Sequence, residues 1–182
     1  MWGAVYAVLV LAVFVRFGDP SKPVRPDPVA GANEPLRLLG LHHGLFYALL
    51  LVVCPLEAVL AGGARDGRLA GAVAFASGIA LYRWGAASLG DALSPLIGPN
   101  PRGRLVTVGL YRRIRHPMYL GQLLIAVGAP ATLGCRWAFA VSFAAAVVLF
   151  VRIPIEENAL SKMYAEYPIY RSRSKRIVPF VF

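Results

Sequence analysis

Apolar residues run along this chain in long blocks, with neither the alternation of a half-buried strand nor the narrow stripe of a helix lying on a soluble core. Five blocks can be marked off, at roughly residues 2–17, 41–60, 69–89, 118–133 and 137–151. The second and third match the ~20 helical residues that cross a ~30 Å hydrocarbon core. The other three are shorter and are expected to span with help from flanking Tyr, Trp and Arg side chains or from a locally thinned bilayer. No basic residue precedes the first block and no small-x-small pattern follows it, so it is read as a helix and not as a leader. The pattern predicts an all-α polytopic membrane protein with about five transmembrane helices. "LGCRW" (133–137) separates the last two so briefly that an antiparallel hairpin is expected. "GDPSKPVRPDPVAGANEP" (18–35) holds five of the fourteen prolines and reads as an extended loop.

Composition agrees with the blocks. The 182 residues are 58% hydrophobic and only 15% charged, with a mean hydropathy of +0.61, outside the range of ordinary soluble domains. Nineteen Lys and Arg against nine Asp and Glu leave a net charge of +10. These cations fall in short segments between the blocks and form no basic face interleaved with aromatics, which argues against a nucleic-acid partner. They supply topology instead. Arg16, Lys22, Arg25 and Arg37 lie between the first two blocks, and Arg102, Arg104, Arg112, Arg113 and Arg115 between the third and fourth. Arg152, Lys162, Arg171, Arg173, Lys175 and Arg176 end or follow the fifth, while the remaining loops hold only Arg65, Arg68 and Arg136. The positive-inside rule therefore predicts an outer amino terminus, a cytoplasmic carboxyl tail and a multi-pass location in the cytoplasmic (inner) membrane. Cys54 and Cys135 imply neither a disulfide framework nor a CxxC site. His42 and His43 lie on a different block from His116, so no metal site is expected.

Two polar stretches carry the candidate chemistry. "GLYRRIRHPMYLGQLL" (109–124) packs Arg112, Arg113, Arg115 and His116 against Pro117 at the entry to the fourth block, and "RIPIEENAL" (152–160) leaves the fifth. The topology puts both at one cytoplasmic end. Pro117 suits the first position of a helix, where its missing N–H costs nothing, and the arginines and Tyr119 suit an interfacial belt. Glu156 and Glu157 also suit the start of an interfacial helix opened by Pro154. If the helix instead continues through Pro154, Arg152 and Glu156 stand i,i+4 on one face, with the base placed before the acid, the weaker order for a surface pair. Ionisable groups near membrane depth are functional candidates. A cation, two carboxylates, an imidazole and tyrosines suit a zwitterionic ligand, and no glycine-rich phosphate loop competes.

"LYRWGAASLG" (81–90), "LVTVGLYRRIRHPMYLG" (105–121), "RIPIEENAL" (152–160) and "EYPIYRSRSKRIVP" (166–179) together resemble, in order and spacing, the isoprenylcysteine carboxyl methyltransferase family, related to the membrane phospholipid methyltransferases. The RHPxY and EExxL pair, about forty residues apart, is the specific part. The resemblance covers roughly the last hundred residues. It implies one integral membrane methyltransferase domain over 1–182, with a cofactor-binding core at 81–182 and substrate-side helices at 1–80. It implies S-adenosylmethionine as cofactor and S-adenosylhomocysteine as product. The cofactor would be held by Arg104, Leu105, Val106, Tyr111, His116, Pro117, Met118, Tyr119 and Glu156, with Arg152 holding the acceptor. The acceptor would be a lipophilic or lipidated molecule entering from the bilayer, methylated on a carboxylate or hydroxyl. An anionic acceptor needs no general base, whereas an amine would need a proton acceptor, for which Glu157 or His116 is available. A phospholipid amine N-methyltransferase and a non-catalytic lipid-binding membrane protein are the alternatives. Paired interrupted helices in two related halves, as a transporter would show, are not found.

Overall fold

The computed structural model describes residues 1–14, 34–62, 67–93 and 104–178. Among them the chain is helical: α1 (Trp2–Phe14), α2 (Glu34–Glu57), α3 (Arg68–Leu89), α4 (Pro117–Leu133), α5 (Ala138–Met163) and the short α6 (Tyr167–Arg173). A π-turn at Ala58–Gly62 prolongs α2, and 3₁₀ turns stand at Gly90–Ala92 and Gly109–Arg112. The only strand-like feature among these residues is a parallel bridge between Ile114 and Lys175. Most of the proline-rich stretch at 18–35, with Arg16, Lys22 and Arg25, lies outside the described residues, as do Arg65 and Arg102. Its last two residues form the start of α2, where Pro35 is tolerated because the first helical N–H groups have no partner to lose.

Two stretches, Leu45–Gly62 and Ala138–Met163, are long and apolar enough to cross a bilayer. Large apolar side chains face outward along much of the molecule, among them Leu45, Val52, Leu69, Val73, Val127, Phe143 and Val147. Water would oppose so much outward apolar surface, and lipid would not.

The molecule's close packing lies between α3 and α4, and it is made by glycine. A Cβ on Gly121 would stand 2.7 Å from the Gly78 carbonyl oxygen and 2.7 Å from the Tyr82 nitrogen, and one on Gly78 would stand 2.7 Å from the Gly121 oxygen. Each glycine is therefore the space that the other backbone occupies, the small-residue packing that lets helices approach where lipid provides little hydrophobic drive. Around this seam Leu50, Phe75, Ile79, Ala126, Ala129 and Ala138 form the main buried cluster.

Helix α4 ends at Gly134, which adopts φ 73°. The Gly134 N–H donates to Ala131 O at 3.2 Å and the Cys135 N–H to Pro130 O at 2.9 Å, a glycine-terminated cap that satisfies the last carbonyls. Glu57 of α2 then accepts from the amides of Arg136 (2.6 Å), Trp137 (2.9 Å) and Ala138 (2.9 Å). A carboxylate from another helix thus answers the unpaired N–H groups at the start of α5. The Ser142 hydroxyl donates to Ala126 O, and the Tyr119 hydroxyl meets Glu156. The first turns of α4 therefore lie beside the last turns of α5.

Helix α5 does not stop near residue 151, where the apolar block ends, but runs through Pro154 to Met163. Arg152, Ile153 and Glu157 are buried within its last turns. The polar residues are the inward-facing part of the same helix, kept helical by partners on neighbouring elements that the hydropathy pattern does not register.

Candidate functional site

Three sequence segments converge at the open ends of α4 and α5. His116 occupies the N-cap position of α4 and Pro117 its first turn. The His116 carbonyl accepts from Tyr119 N at 3.1 Å and Leu120 N at 3.2 Å, while its own N–H donates to Arg176 O at 2.9 Å. Pro117, with no N–H to satisfy, is consistent with its place. The imidazole lies flat against the Tyr119 ring, with centroids 5.1 Å apart and planes 4° apart.

Tyr119 is the hub. Its hydroxyl donates to Glu156 Oε2, and the guanidinium carbon of Arg152 lies 5.5 Å from its ring centroid. Arg152 and Glu156, spaced i,i+4 as the uninterrupted helix requires, thus both reach one tyrosine on α4. They are not an ion pair. Arg152 is only 9% exposed, its Nε has no hydrogen-bond partner, and among the described residues no carboxylate stands within ion-pair distance of it. Tyr47 of α2 and Tyr82 of α3 lie within its electrostatic reach. Tyr47 is held by a 2.9 Å bond from its hydroxyl to Gln122 O.

Glu157 faces a different set of groups. Its carboxylate, 2% exposed, accepts from Arg115 Nε at 2.8 Å and lies 3.4 Å from Arg176 Nε, 3.5 Å from His116 Nε2 and 3.9 Å from Arg171 Nε. Arg115 Nη1 donates further to Arg171 O at 3.1 Å and to the Ser174 carbonyl. The Arg115 N–H donates to Lys175 O at 2.8 Å and the Lys175 N–H to Arg113 O at 2.9 Å. The tail after α6 is thereby tied to the segment that enters α4, and Ile177 packs with Tyr119, Leu149 and Ile153.

Tyr111 lies buried in the 3₁₀ turn and its carbonyl accepts from the Tyr170 hydroxyl at 2.7 Å. Burial, with Glu156 adding to it, pushes the Tyr111 phenol above its ordinary range, and burial pushes Tyr170 up to about 12. Both stay protonated at neutral pH, so Tyr170 remains a donor. Met118 packs toward α3, where a Cβ on Gly85 would meet its Cγ at 2.7 Å. Arg104 is exposed and Leu105 and Val106 half-buried, in an irregular segment.

The structure thus brings His116, Tyr119, Arg152 and Glu156 together, with Glu157 behind them and Tyr111 alongside. It shows no direct bond from Arg104, Leu105 or Val106 to that group. Arg115, Arg176, Tyr170, Tyr47, Tyr82 and Gln122 were not singled out as site residues. A second adjacent acid beside Glu156, which needs a cation, is the signal that points to Arg115; nothing local in the sequence points to the tyrosines of α2 and α3.

A family model described as phospholipid methyltransferase matches residues 67–167, the stretch that contains the α3–α4 seam and both polar motifs. The chain belongs to this family of membrane methyltransferases. Protein-S-isoprenylcysteine O-methyltransferase B of Arabidopsis thaliana is 41% identical over 81 residues, which cover 43% of this chain and 41% of the relative. Protein-S-isoprenylcysteine O-methyltransferase A of the same plant is 42% identical over 80 residues, 42% of this chain and 40% of the relative. The chain therefore matches about two-fifths of the length of either relative, and the resemblance read from the four motifs is borne out at the level of the family.

Proposed function

We propose that this protein is an S-adenosylmethionine-dependent membrane methyltransferase that esterifies a carboxylate on a lipophilic acceptor. The observation that carries the choice of acceptor is the buried guanidinium of Arg152, whose Nε has no hydrogen-bond partner and which has no carboxylate partner among the described residues. An uncompensated buried cation costs several kcal/mol, and an anion brought beside it recovers that cost. The same charge opposes an ammonium headgroup, which ranks amine N-methylation second. Both relatives are named as O-methyltransferases.

The residues fit the cofactor. Glu156, half-buried with its carboxylate on Tyr119, suits an ammonium or sulfonium, and the stacked His116–Tyr119 pair presents aromatic surface to a cation. The peptide groups of Arg104, Leu105 and Val106, with Tyr111, Pro117 and Met118, would complete the wall. When bound, the cofactor supplies an electrophilic methyl and keeps the C–S electron pair as the neutral thioether S-adenosylhomocysteine. Arg152 orients the acceptor carboxylate, whose oxygen forms the new C–O bond. The negative charge of the acceptor and the positive charge of the donor vanish together, so no protein group has to move a proton. What the protein supplies is alignment and exclusion of water. Glu157, held by Arg115, His116 and Arg176, anchors the mouth and is poorly placed to collect a proton.

In this reading residues 81–182 form the cofactor core, 1–80 shape the acceptor's path, the last two long helices make an antiparallel hairpin among about five spans, and the mouth faces the cytoplasm. The deciding experiment incubates the purified full chain in nanodiscs with methyl-labelled S-adenosylmethionine and a membrane lipid extract. Labelled lipid that releases volatile methanol in alkali is the expected product. Label that is stable to alkali and follows an amine headgroup would replace this reading with N-methylation, and no transfer would leave the lipid-binding alternative.

A further inference from the structure

Arg115 and residues 171–176 line an open cleft of about 390 Å³ on the outer side of the tail. Five of these side chains are cationic, and Glu157 is the carboxylate that meets three of them, Arg115, Arg171 and Arg176. Arg173 and Lys175 are exposed and have no ion-pair partner among the described residues. The serine hydroxyls offer the cleft no protons, since Ser172 donates to Ile169 O at 2.8 Å and Ser174 to Tyr170 O at 2.6 Å. Recognition therefore falls to guanidinium and ammonium groups, which only donate, and a phosphate suits that set.

The surroundings point to phosphate on a lipid. Ile169 is 58% exposed and stands i,i+4 from Arg173 on α6, and Val178, 40% exposed, lies two residues beyond Arg176. Apolar side chains beside unmatched cations, on a segment that hangs from the end of a bilayer-length helix, match the boundary between headgroups and acyl chains. A free phosphate would use the cations and leave Ile169 and Val178 in water.

We propose that this cleft is a binding site for the phosphate headgroup of an anionic phospholipid, which fastens the tail to the membrane surface. The same tail supplies the Arg176 carbonyl to His116 and the Lys175 carbonyl to Arg115, so an occupied cleft holds the mouth of the site from outside.

The test uses the full chain in nanodiscs of phosphatidylcholine containing a minority of phosphatidylglycerol, with co-purifying lipid counted by native mass spectrometry. The wild type should retain phosphatidylglycerol preferentially. The R173Q/K175Q double variant should lose that preference by roughly tenfold to thirtyfold, as expected for two cations at an anionic surface, while K175R keeps it. Melting temperatures measured in detergent without phosphatidylglycerol should be equal, because both side chains are exposed and have no ion-pair partner among the described residues. Equal retention of the two lipids by the wild type, or undiminished preference in R173Q/K175Q, overturns the proposal. So does inorganic phosphate that displaces the bound lipid at equal concentration, which would make the cleft a site for a soluble anion.

Discussion

Arg152 and Glu157 are buried on the same helix within two turns of each other, yet among the described residues one charge is matched several times over and the other meets no opposite charge. Arg115, Arg176 and His116 surround Glu157, whereas Arg152 has the face of Tyr119 and the nearby phenols of Tyr47 and Tyr82. On the proposed mechanism the difference separates support from chemistry, and it predicts different losses. Glu157→Gln keeps the shape but strands the buried Arg115 guanidinium, and should destabilise the fold by about 3 kcal/mol, seen as a lower melting temperature in detergent. A Glu157→Gln protein that melts like wild type yet fails only on amine acceptors would make Glu157 a proton acceptor. Arg152→Lys keeps the charge without the planar fork, so turnover should fall far more than cofactor affinity. Glu156→Gln should do the opposite, weakening cofactor binding by about 1–3 kcal/mol on loss of a charge-assisted contact. Calorimetry and product assays on the same preparations check both, and parallel losses in Arg152→Lys would make Arg152 a structural residue.

The α3–α4 pair is the element on which the site rests, since α4 carries His116, Pro117 and Tyr119 at its first turn. Gly78 and Gly121 bring the two backbones into contact, and neither has room for a methyl group. Gly121→Ala would force the helices apart at Gly78 and Tyr82, and should cost about 1–3 kcal/mol as an overpacking change. Because Gly121 lies one half-turn beyond Tyr119, the shift should also loosen cofactor binding. Thermal unfolding with and without S-adenosylhomocysteine measures both effects, and a variant as stable as wild type would show that the seam yields. At the other end of α5 the Glu57 carboxylate takes three backbone N–H groups, a cap supplied across 80 residues of chain.

For the whole molecule, the polar mouth and the tail lie together at one end, with Arg115, Arg152, Arg171, Arg173, Lys175 and Arg176, and the Cys135–Trp137 turn and Glu57 lie at the other end of α4 and α5. On the proposed reading the cofactor comes from the cytosol, so that end should face the cytoplasm. A reporter active only in the cytoplasm should be active when fused after Phe182 and silent when inserted near Gly63. The reverse pattern would remove the mouth from its cofactor and end the proposed mechanism.

Hydropathy alone was enough to read a helical membrane protein, because lipid requires backbone polar groups to be satisfied within a helix and the side chains facing lipid to be apolar. The i,i+4 spacing of Arg152 and Glu156 was legible for the same local reason, once the helix was allowed through Pro154. The four motifs carried the family. What the sequence could not show is which charges meet. The end of α5 lay beyond its apolar block because Arg152, Glu156 and Glu157 are inward-facing, and inwardness depends on α4 and the tail being there to receive them. Glu156 and Glu157 are adjacent letters, but a helix sets neighbours about 100° apart. One therefore reaches Tyr119 and the other Arg115, and only the packing of three distant segments decides that Glu156 faces the mouth while Glu157 closes the clasp behind it.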